Sequence, residues 1–567
     1  TIVGSGMASG GRYRGVAPDA TLLDGKVCET FGCPESAIVA GMQWAADAGA
    51  RVVNLSLGGV DSPGVDPLEA AIDNLSAQRG TLFVVAAGND GPDSGTVNSP
   101  ASAGTALAVG AVDDQDQAAR FSSRGPRTGD AALKPELTAP GVAIVAARAR
   151  NAVIGDPIDE SYMSLSGTSM ATPHAAGAVT LVAQRHPDWT GSQLKALLVG
   201  AADTTEGTSA FAQGAGRVDA GRAVAQEVHT EPAAVSAGRQ AWPHDDDQPT
   251  TQAVTYRNPG AEPITLALTI EVTAPDGGPA PDGMFTLGAE QLTVPAGGDA
   301  RVDVTVDTSV PSPDGAYSAW IVATAGETVV TTPVAVDKEI ESYDLTVVNR
   351  DRNGDPTAFY QALVVGLDEF RLESPYDPDG TFTARLPRGR YHLDSTVFTQ
   401  RAGAAPHAAL LVQPLVELAG DTTIELDARR SRPLEVAFER DDLVMRTAAV
   451  AYQRIGEPGV LLRWLEAGTL DGASTGHFGP EVARDEMITQ FDGAWAVPDG
   501  SGGFLRSERL YNLAWYEYGR MMTGLSREVR DAQLAKVRAD YRAGGLGRVG
   551  RAWAASRPPG MTPFFIT

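Results

Sequence analysis

The sequence predicts a parallel α/β domain followed by a series of all-β sandwich domains. Short apolar runs of buried-strand type alternate with helical patterns in the first part of the chain. After about residue 229 the pattern changes to strands in which apolar and polar residues alternate. The length of 567 residues is enough for about four domains of ordinary size.

The first 228 residues alternate between the two periods. Apolar runs of strand length cover residues 20–27, 51–56, 81–86 and 106–111. Between the first three runs, apolar residues at helical spacing predict helices over residues 36–48 and 67–78. This order predicts a parallel sheet covered by helices on both faces, with ligands bound beyond the C-terminal strand ends. Two of those ends read Ser56-Leu57-Gly58-Gly59 and Ala87-Gly88-Asn89.

A capping-box pattern at Thr190 and Gln193 predicts the helix that closes this first domain. Beyond it, Val302, Val304 and Val306 alternate with polar residues, which predicts a half-buried strand. We therefore expect domains over residues 1–228, 229–338, 339–432 and 433–567. The last is predicted to be β-rich with one helix over residues 526–543, and is a candidate for an incomplete domain.

The formal net charge of −26 argues against nucleic acid and anionic membranes as partners, because those surfaces would repel the chain. The sequence has no apolar stretch of membrane-spanning length, and its first residues, TIVGSGMASGG, lack the pattern of a signal peptide. Cys28 and Cys33 are the only cysteines. Their spacing favours a disulfide over a zinc site, which usually needs four ligands, and so predicts an oxidising compartment.

The segment from Ser166 to His174 reads Ser-Gly-Thr-Ser-Met-Ala-Thr-Pro-His. Small residues precede Ser169, an apolar run follows, and Pro173 fits the first turn of a helix. Ser169 is therefore expected at a helix N-terminus, where backbone N–H groups favour a developing oxyanion. On these local grounds, an ordinary N-cap serine is an equally good interpretation.

The same segment resembles the nucleophile motif of the subtilisin-like (S8) serine peptidases. Ala86-Ala87-Gly88-Asn89 is similar to the oxyanion-hole segment of that family, and Asn54-Leu55-Ser56-Leu57-Gly58-Gly59 to its substrate-pairing strand. Residues 121–126 and 139–141 also resemble family segments, in family order. The resemblance implies that Ser169 is the nucleophile, and that the Asn89 amide and the Ser169 N–H stabilise the oxyanion. It further implies substrate contacts for six residues, namely Ser56, Leu57, Gly58, Ala87, Gly88 and Asn98.

The family also uses a His and an Asp. Their motifs lie upstream of the family segment that the first residues of this chain, from Thr1 onward, resemble. His174 lies five residues after Ser169, about 140° around the helix axis, so its ring is expected to point away. The resemblance thus implies a secreted serine endopeptidase that hydrolyses polypeptides when full length, and a 567-residue chain that is inactive alone. The alternative is a non-catalytic extracellular binding or adhesion protein built on a degenerate domain of this kind.

No cofactor is expected for the chemistry, and no metal-binding residues are assigned. The resemblance leaves a structural Ca²⁺ open, although the loop Gly4 to Arg14 offers few side-chain oxygens. Residues 254–336 resemble a fibronectin type III-like sandwich, and residues 345–426 resemble carboxypeptidase-regulatory-like sandwiches. These β domains are candidates for binding protein or carbohydrate.

Overall fold

The computed structural model describes residues 1–536, except 30–31, 370, 500–502, 505–506 and 508. The chain divides into two units, Thr1–Ile340 and Glu341–Thr567. Among the described helices, none combines the length and the apolar character that crossing a membrane requires.

A four-stranded parallel sheet is the centre of the α/β part of the first unit. Its strands, in spatial order, are β1 (Val52–Leu55), β2 (Leu82–Ala86), β3 (Leu107–Val112) and β4 (Leu137–Pro140). Helices α1 (Glu35–Asp47) and α2 (Pro67–Arg79) pack on one face, and α3 (Thr168–Arg185) and α4 (Gly191–Gly200) on the other. Along β2, Phe83 faces the first helix pair and Val84 the second. This confirms the predicted parallel sheet with helices on both faces.

The N-terminal ends of α2 and α4 are set by capping residues in the local sequence. The Asp66 carboxylate accepts the backbone N–H of Glu69 at 2.8 Å, and the Glu69 side chain accepts the N–H of Asp66. The predicted capping box of Thr190 and Gln193 is present at the start of α4. Both helices therefore begin at residues whose side chains satisfy the free N–H groups of the first turn.

Smaller elements complete the α/β part. Residues Met7–Ser9 form a 3₁₀ turn. Strands β5 (Ile144–Ala147), β6 (Asp156–Pro157) and β7 (Tyr162–Leu165) form a small antiparallel sheet in the order β5-β7-β6. The short helices α5 (Ala210–Gln213) and α6 (Ala220–Ala225) follow α4. Because β7 ends only three residues before α3, the small sheet positions the start of that helix.

Two further sheets pack face to face in the rest of the first unit. One has the order β12-β14-β10-β8 and the other β13-β11-β15-β16-β9. Their bounds are β8 (His229–Glu231), β9 (Val235–Gln240), β10 (Thr250–Asn258), β11 (Ile264–Thr273), β12 (Phe285–Leu287), β13 (Gln291–Val294), β14 (Gly298–Val306), β15 (Gly315–Ala325) and β16 (Thr328–Lys338). The predicted strand of alternating valines is β14, whose Val302, Val304 and Val306 are buried in the sandwich core. The sandwich contacts the α/β part through Trp320, which donates from Nε1 to the Gly214 carbonyl at 2.9 Å.

The described part of the second unit contains three sheets, ordered β20-β17-β23, β19-β18-β21-β22-β27-β24-β30 and β26-β25-β28-β29. The strands are β17 (Ser342–Arg350), β18 (Tyr360–Gly366), β19 (Leu372–Glu373), β20 (Thr381–Pro387), β21 (Gly389–Arg401), β22 (Ala404–Leu418), β23 (Thr422–Asp427), β24 (Arg432–Phe438), β25 (Val444–Gly456), β26 (Gly459–Ala467), β27 (Ala473–His477), β28 (Met487–Ala496), β29 (Leu510–Tyr518) and β30 (Leu525–Val529). Two 3₁₀ turns cover Ala428–Arg430 and Asp531–Gln533. The seven-stranded sheet has a core on each face, because Leu410 and Leu411 of β22 join different clusters.

Three predictions about the chain's organisation were wrong. The apolar run 20–27 forms no ladder with any described strand, since apolar composition does not by itself supply a hydrogen-bonding partner. The helix expected over 526–543 is strand β30 at its start, and residues 537–543 lie outside the described residues. The buried Leu525 and Val529 are four residues apart, a spacing that fits both a helix and a strand. Parallel pairing with β24 makes this segment a strand. The boundary at 432/433 does not separate two sheets, because β22 pairs with β27 across it.

Candidate active site

Ser169 is the second residue of α3 and is partly exposed. Gly167, the N-cap, has φ +155°, which a residue with a side chain rarely adopts. The Ser169 hydroxyl donates to the Ser56 carbonyl at 3.4 Å, and the Ser56 hydroxyl donates to the Ser169 carbonyl at 3.0 Å. The start of α3 is thus tied to the C-terminal end of β1, with the Ser169 oxygen at the surface between them.

Asn89 lies just beyond the C-terminal end of β2 and is exposed. Its side-chain oxygen accepts the backbone N–H of Thr168 at 2.9 Å, and the Thr168 hydroxyl lies 3.1 Å from the same oxygen. These two contacts fix which end of the amide faces α3. The Asn89 NH₂ group is left without a hydrogen-bond acceptor in the part of the chain that the structure describes.

A second free donor lies beside it. The first N–H groups of a helix have no partner within the helix. The N–H of Thr168 is bonded to Asn89, whereas the N–H of Ser169 has no acceptor among the described residues. A Cβ built on Gly167 would lie 3.7 Å from both end atoms of the Asn89 amide, so the amide packs against the backbone that leads into α3. The N-terminal end of α3 thus carries the Ser169 hydroxyl and an unused Ser169 N–H, and the Asn89 side chain bonded to Thr168 carries a second unused donor.

The segment Ser56-Leu57-Gly58 continues β1, an edge strand of the described sheet, without a partner ladder. Ser56 and Gly58 are exposed and Leu57 is partly exposed. Just after them, Gly59 and Ser99 exchange two backbone hydrogen bonds of 2.9 Å. A Cβ at Gly58 would come within 2.7 Å of the Ser99 carbonyl oxygen, so glycine is required for this close approach. The exposed backbone here can pair with an added extended chain.

The remaining predicted residues lie next to Asn89. Ala87 is buried, and its carbonyl accepts the N–H of Asn98 at 2.9 Å. A Cβ on Gly88 would lie 2.8 Å from the amide nitrogen of Asn98, so the two residues are in direct contact. The Asn98 amide donates to the carboxylate of Asp90 at 2.8 Å. Sequence reasoning did not single out Thr168 or Asp90. Their adjacency to Ser169 and Asn89 was the available signal.

In the described chain, the Ser169 hydroxyl has no hydrogen bond to a histidine or a carboxylate. His174 instead makes a 2.9 Å contact from Nδ1 to the Met170 carbonyl within α3, and burial lowers its pKa. His186, at the other end of α3, stacks on Trp189 with ring centroids 3.9 Å apart. Neither ring is positioned to take the Ser169 proton.

The structure joins Cys28 and Cys33 in a disulfide, with Cα atoms 4.1 Å apart. Across residues 1–536 with their gaps, no three His, Cys, Asp or Glu side chains cluster closely enough to hold a metal ion.

Comparison with known proteins identifies the domain that carries this site. The model of the subtilase family (peptidase S8) matches residues 1–216. Subtilisin Savinase of Lederbergia lenta is 39% identical over 201 residues, which cover 35% of this chain and 67% of that protein. The chain belongs to the subtilase family. Serine protease AprX of Bacillus subtilis is 37% identical to this subtilase over 247 residues, 39% of the chain.

The subtilase chain spans only part of its relatives. It covers 55% of AprX and 47% of the alkaline protease of Alkalihalobacillus alcalophilus, to which it is 39% identical over 201 residues. It therefore spans about half the length of these curated relatives. This chain also matches a solved structure of a mutant of the PatA protease domain at 27% identity and a TM-score of 0.32. The match covers 37% of this chain and 73% of the PatA chain.

Proposed function

We propose that this chain is part of a secreted serine endopeptidase in which Ser169 attacks the peptide carbonyl. The Asn89 amide and the Ser169 N–H then stabilise the oxyanion that forms. The orientation of Asn89 is the observation that carries the proposal. Because Thr168 holds the amide oxygen at 2.9 Å, the NH₂ end is free beside Ser169. An amide turned the other way would present an oxygen and repel an oxyanion.

The energetic role of these donors follows from where charge develops. Attack by the Ser169 oxygen places a negative charge on the former carbonyl oxygen, and two fixed N–H donors lower the energy of that state without reorganising. In a subtilisin, loss of one such donor costs about 10²- to 10³-fold in kcat, equivalent to about 2.7–4 kcal/mol. We adopt that magnitude for Asn89.

The substrate is proposed to be a polypeptide in extended conformation. The unpaired backbone of Ser56-Leu57-Gly58 can add a substrate strand through main-chain hydrogen bonds, which are common to all sequences. Ala87, Gly88 and Asn98 are proposed to line the adjoining side-chain pocket. The disulfide between Cys28 and Cys33 supports an oxidising, extracellular location, because cytosolic thiols are kept reduced.

Ser169 needs a general base to become an effective nucleophile. Its present acceptor, the Ser56 carbonyl, is not basic enough to remove the proton. We propose that a histidine oriented by an aspartate, both from outside this sequence, approaches the Ser169 hydroxyl. The 567-residue chain alone should then show little peptide hydrolysis, because an oxyanion hole without a base retains only about 10³- to 10⁴-fold catalysis over water.

The test compares casein hydrolysis by the full-length protein with that of its Ser169→Ala variant. We expect a loss of about 10⁶-fold in kcat, as for removal of a nucleophile that acts as a unit with its base. The matched control is Ser161→Ala, at an exposed serine just before β7, which should retain full activity. Undiminished hydrolysis by Ser169→Ala would refute the assignment. A wild-type protein that binds casein without cleaving it would favour a binding protein instead.

A further inference from the structure

A cavity of about 770 Å³ lies between the α/β part of the first unit and the start of its sandwich. From the α/β part, its wall includes the start of β2, the segment 132–136 and the first turn of α4. From the sandwich it includes the segment 231–236, which connects β8 to β9. A volume of several hundred cubic ångströms is typical of pockets that hold small organic molecules.

Three buried charged side chains line one wall. Lys134, Glu136 and Lys195 expose only 2%, 3% and 9% of their surface. One oxygen of Glu136 accepts both ammonium groups, Lys134 at 2.7 Å and Lys195 at 2.6 Å. The other oxygen accepts the backbone N–H of Ala108 at 2.8 Å. The cluster therefore holds two positive charges and one negative charge away from water.

The two ammonium groups act on the carboxyl group between them. Burial favours the neutral carboxyl of Glu136, yet the charges of Lys134 and Lys195 outweigh burial and lower its pKa. Burial lowers the pKa of Lys134 to about 8, which still leaves it largely protonated at neutral pH. The other charged side chains on the wall have partners of their own, since Arg127 pairs with Asp130 and Glu231 with Arg257. One positive charge at the wall thus remains uncompensated.

Two polar groups on the wall also have a hydrogen-bonding capacity that no described residue uses. Lys134 uses its three N–H donors on Glu136 and on the carbonyls of Ala103 and Ala106. Lys195 uses two, on Glu136 and the Ala106 carbonyl, and the third has no acceptor in the described residues. The hydroxyl of Ser76 is buried on the same wall without a partner. Buried donors and charges are normally satisfied, so both groups point to a missing acceptor that carries negative charge.

We propose that this cavity binds a small organic carboxylate, with its oxygens on Lys195 and Ser76. The apolar part of the ligand would lie against Leu82, Leu133 and Pro232, which share the wall. A single carboxylate matches the single excess positive charge, whereas a phosphate dianion would exceed it. The first turn of α4 lies on the same wall and favours an anion through its helix dipole. Because the ligand would contact both the α/β part and the start of the sandwich, its binding would stabilise the first unit.

The test titrates the 567-residue chain with benzoate and with benzamide, a neutral molecule of similar shape, by calorimetry at fixed ionic strength. We expect saturable binding of benzoate only, accompanied by a rise in Tm. Lys195→Met should weaken benzoate binding about tenfold or more, as loss of a charge-assisted hydrogen bond does. The matched control is Lys338→Met, which removes a lysine in the sandwich that is more buried than Lys195 and bonds to Ser312. Its benzoate affinity should stay within about twofold of the parent value.

A second variant keeps the test decisive if Lys195→Met does not fold. Ser76→Leu fills part of the cavity and leaves the charged cluster intact, so it should abolish benzoate binding. Three results would overturn the proposal: equal binding of benzamide and benzoate, no binding of benzoate at millimolar concentration, or binding that survives Ser76→Leu. Inorganic phosphate that binds while benzoate does not would likewise overturn the assignment to a carboxylate.

Discussion

Replacing Asn89 by aspartate separates the observed contact of this side chain with Thr168 from its proposed role as an oxyanion donor. Asparagine accepts the Thr168 N–H at 2.9 Å through its oxygen, while its NH₂ group has no acceptor among the described residues and is the proposed oxyanion donor. Aspartate keeps the acceptor and removes the donor. It also places a negative charge where the oxyanion forms. The variant should therefore fold normally and lose catalysis.

The magnitudes follow from those contacts. Loss of the donor should lower kcat of the full-length protein by at least about 10²- to 10³-fold, or about 2.7–4 kcal/mol. KM should change little, because the donor acts only once charge has developed. The free energy of unfolding should stay within about 0.5 kcal/mol of the parent, since the acceptor is retained and a carboxylate near the N-terminus of α3 is favourable.

The assay measures kcat and KM on a peptide amide, together with urea unfolding of the same preparation. Asn89→Ala is the informative companion, because it removes the acceptor as well. That variant should lose about 10²- to 10³-fold in kcat, no more than Asn89→Asp because it adds no charge, and also lose about 1–2 kcal/mol of stability. If Asn89→Asp retained kcat within tenfold of the parent, Asn89 would not be an oxyanion donor.

Three further changes test the packing of the first unit. Burial raises the pKa of Asp61 to about 6. Between the ordinary pKa of an aspartate and pH 6, the folded protein therefore binds more protons than the unfolded chain. Asp61→Asn should then stabilise the protein by about 1 kcal/mol above pH 6 and give no gain below pH 4, as followed by urea unfolding across pH. Gly58→Ala would bring a methyl group within 2.7 Å of the Ser99 carbonyl, so it should cost about 1–3 kcal/mol of stability and weaken peptide binding, seen as a raised KM; an unchanged Tm would contradict this. Trp320→Phe removes the donor to a buried carbonyl at 2.9 Å and should cost about 1–3 kcal/mol in urea unfolding; an unchanged free energy of unfolding would contradict this.

Much of the α/β part could be predicted because its signals are local. The strands β1, β2 and β3 and the helices α1 and α2 lie within a few residues of their predicted positions. Their apolar spacing reports the period of the backbone whatever the rest of the chain does. The capping box of α4 is equally local, since Thr190 and Gln193 satisfy each other. Motif order also singled out the segments around Ser169 and Asn89.

What the sequence determined by itself, then, is the position of β1, β2, β3, α1 and α2 and the capping box that begins α4. The tertiary structure decided everything that depends on a distant partner. In the folded chain β30 pairs with β24, and Thr168 fixes the orientation of Asn89. Lys195 also binds Glu136, which is 59 residues away in sequence. A periodic pattern records how one segment meets an apolar core. Pairing between segments, and burial of a charge against another, depend on which surfaces the folded chain brings together.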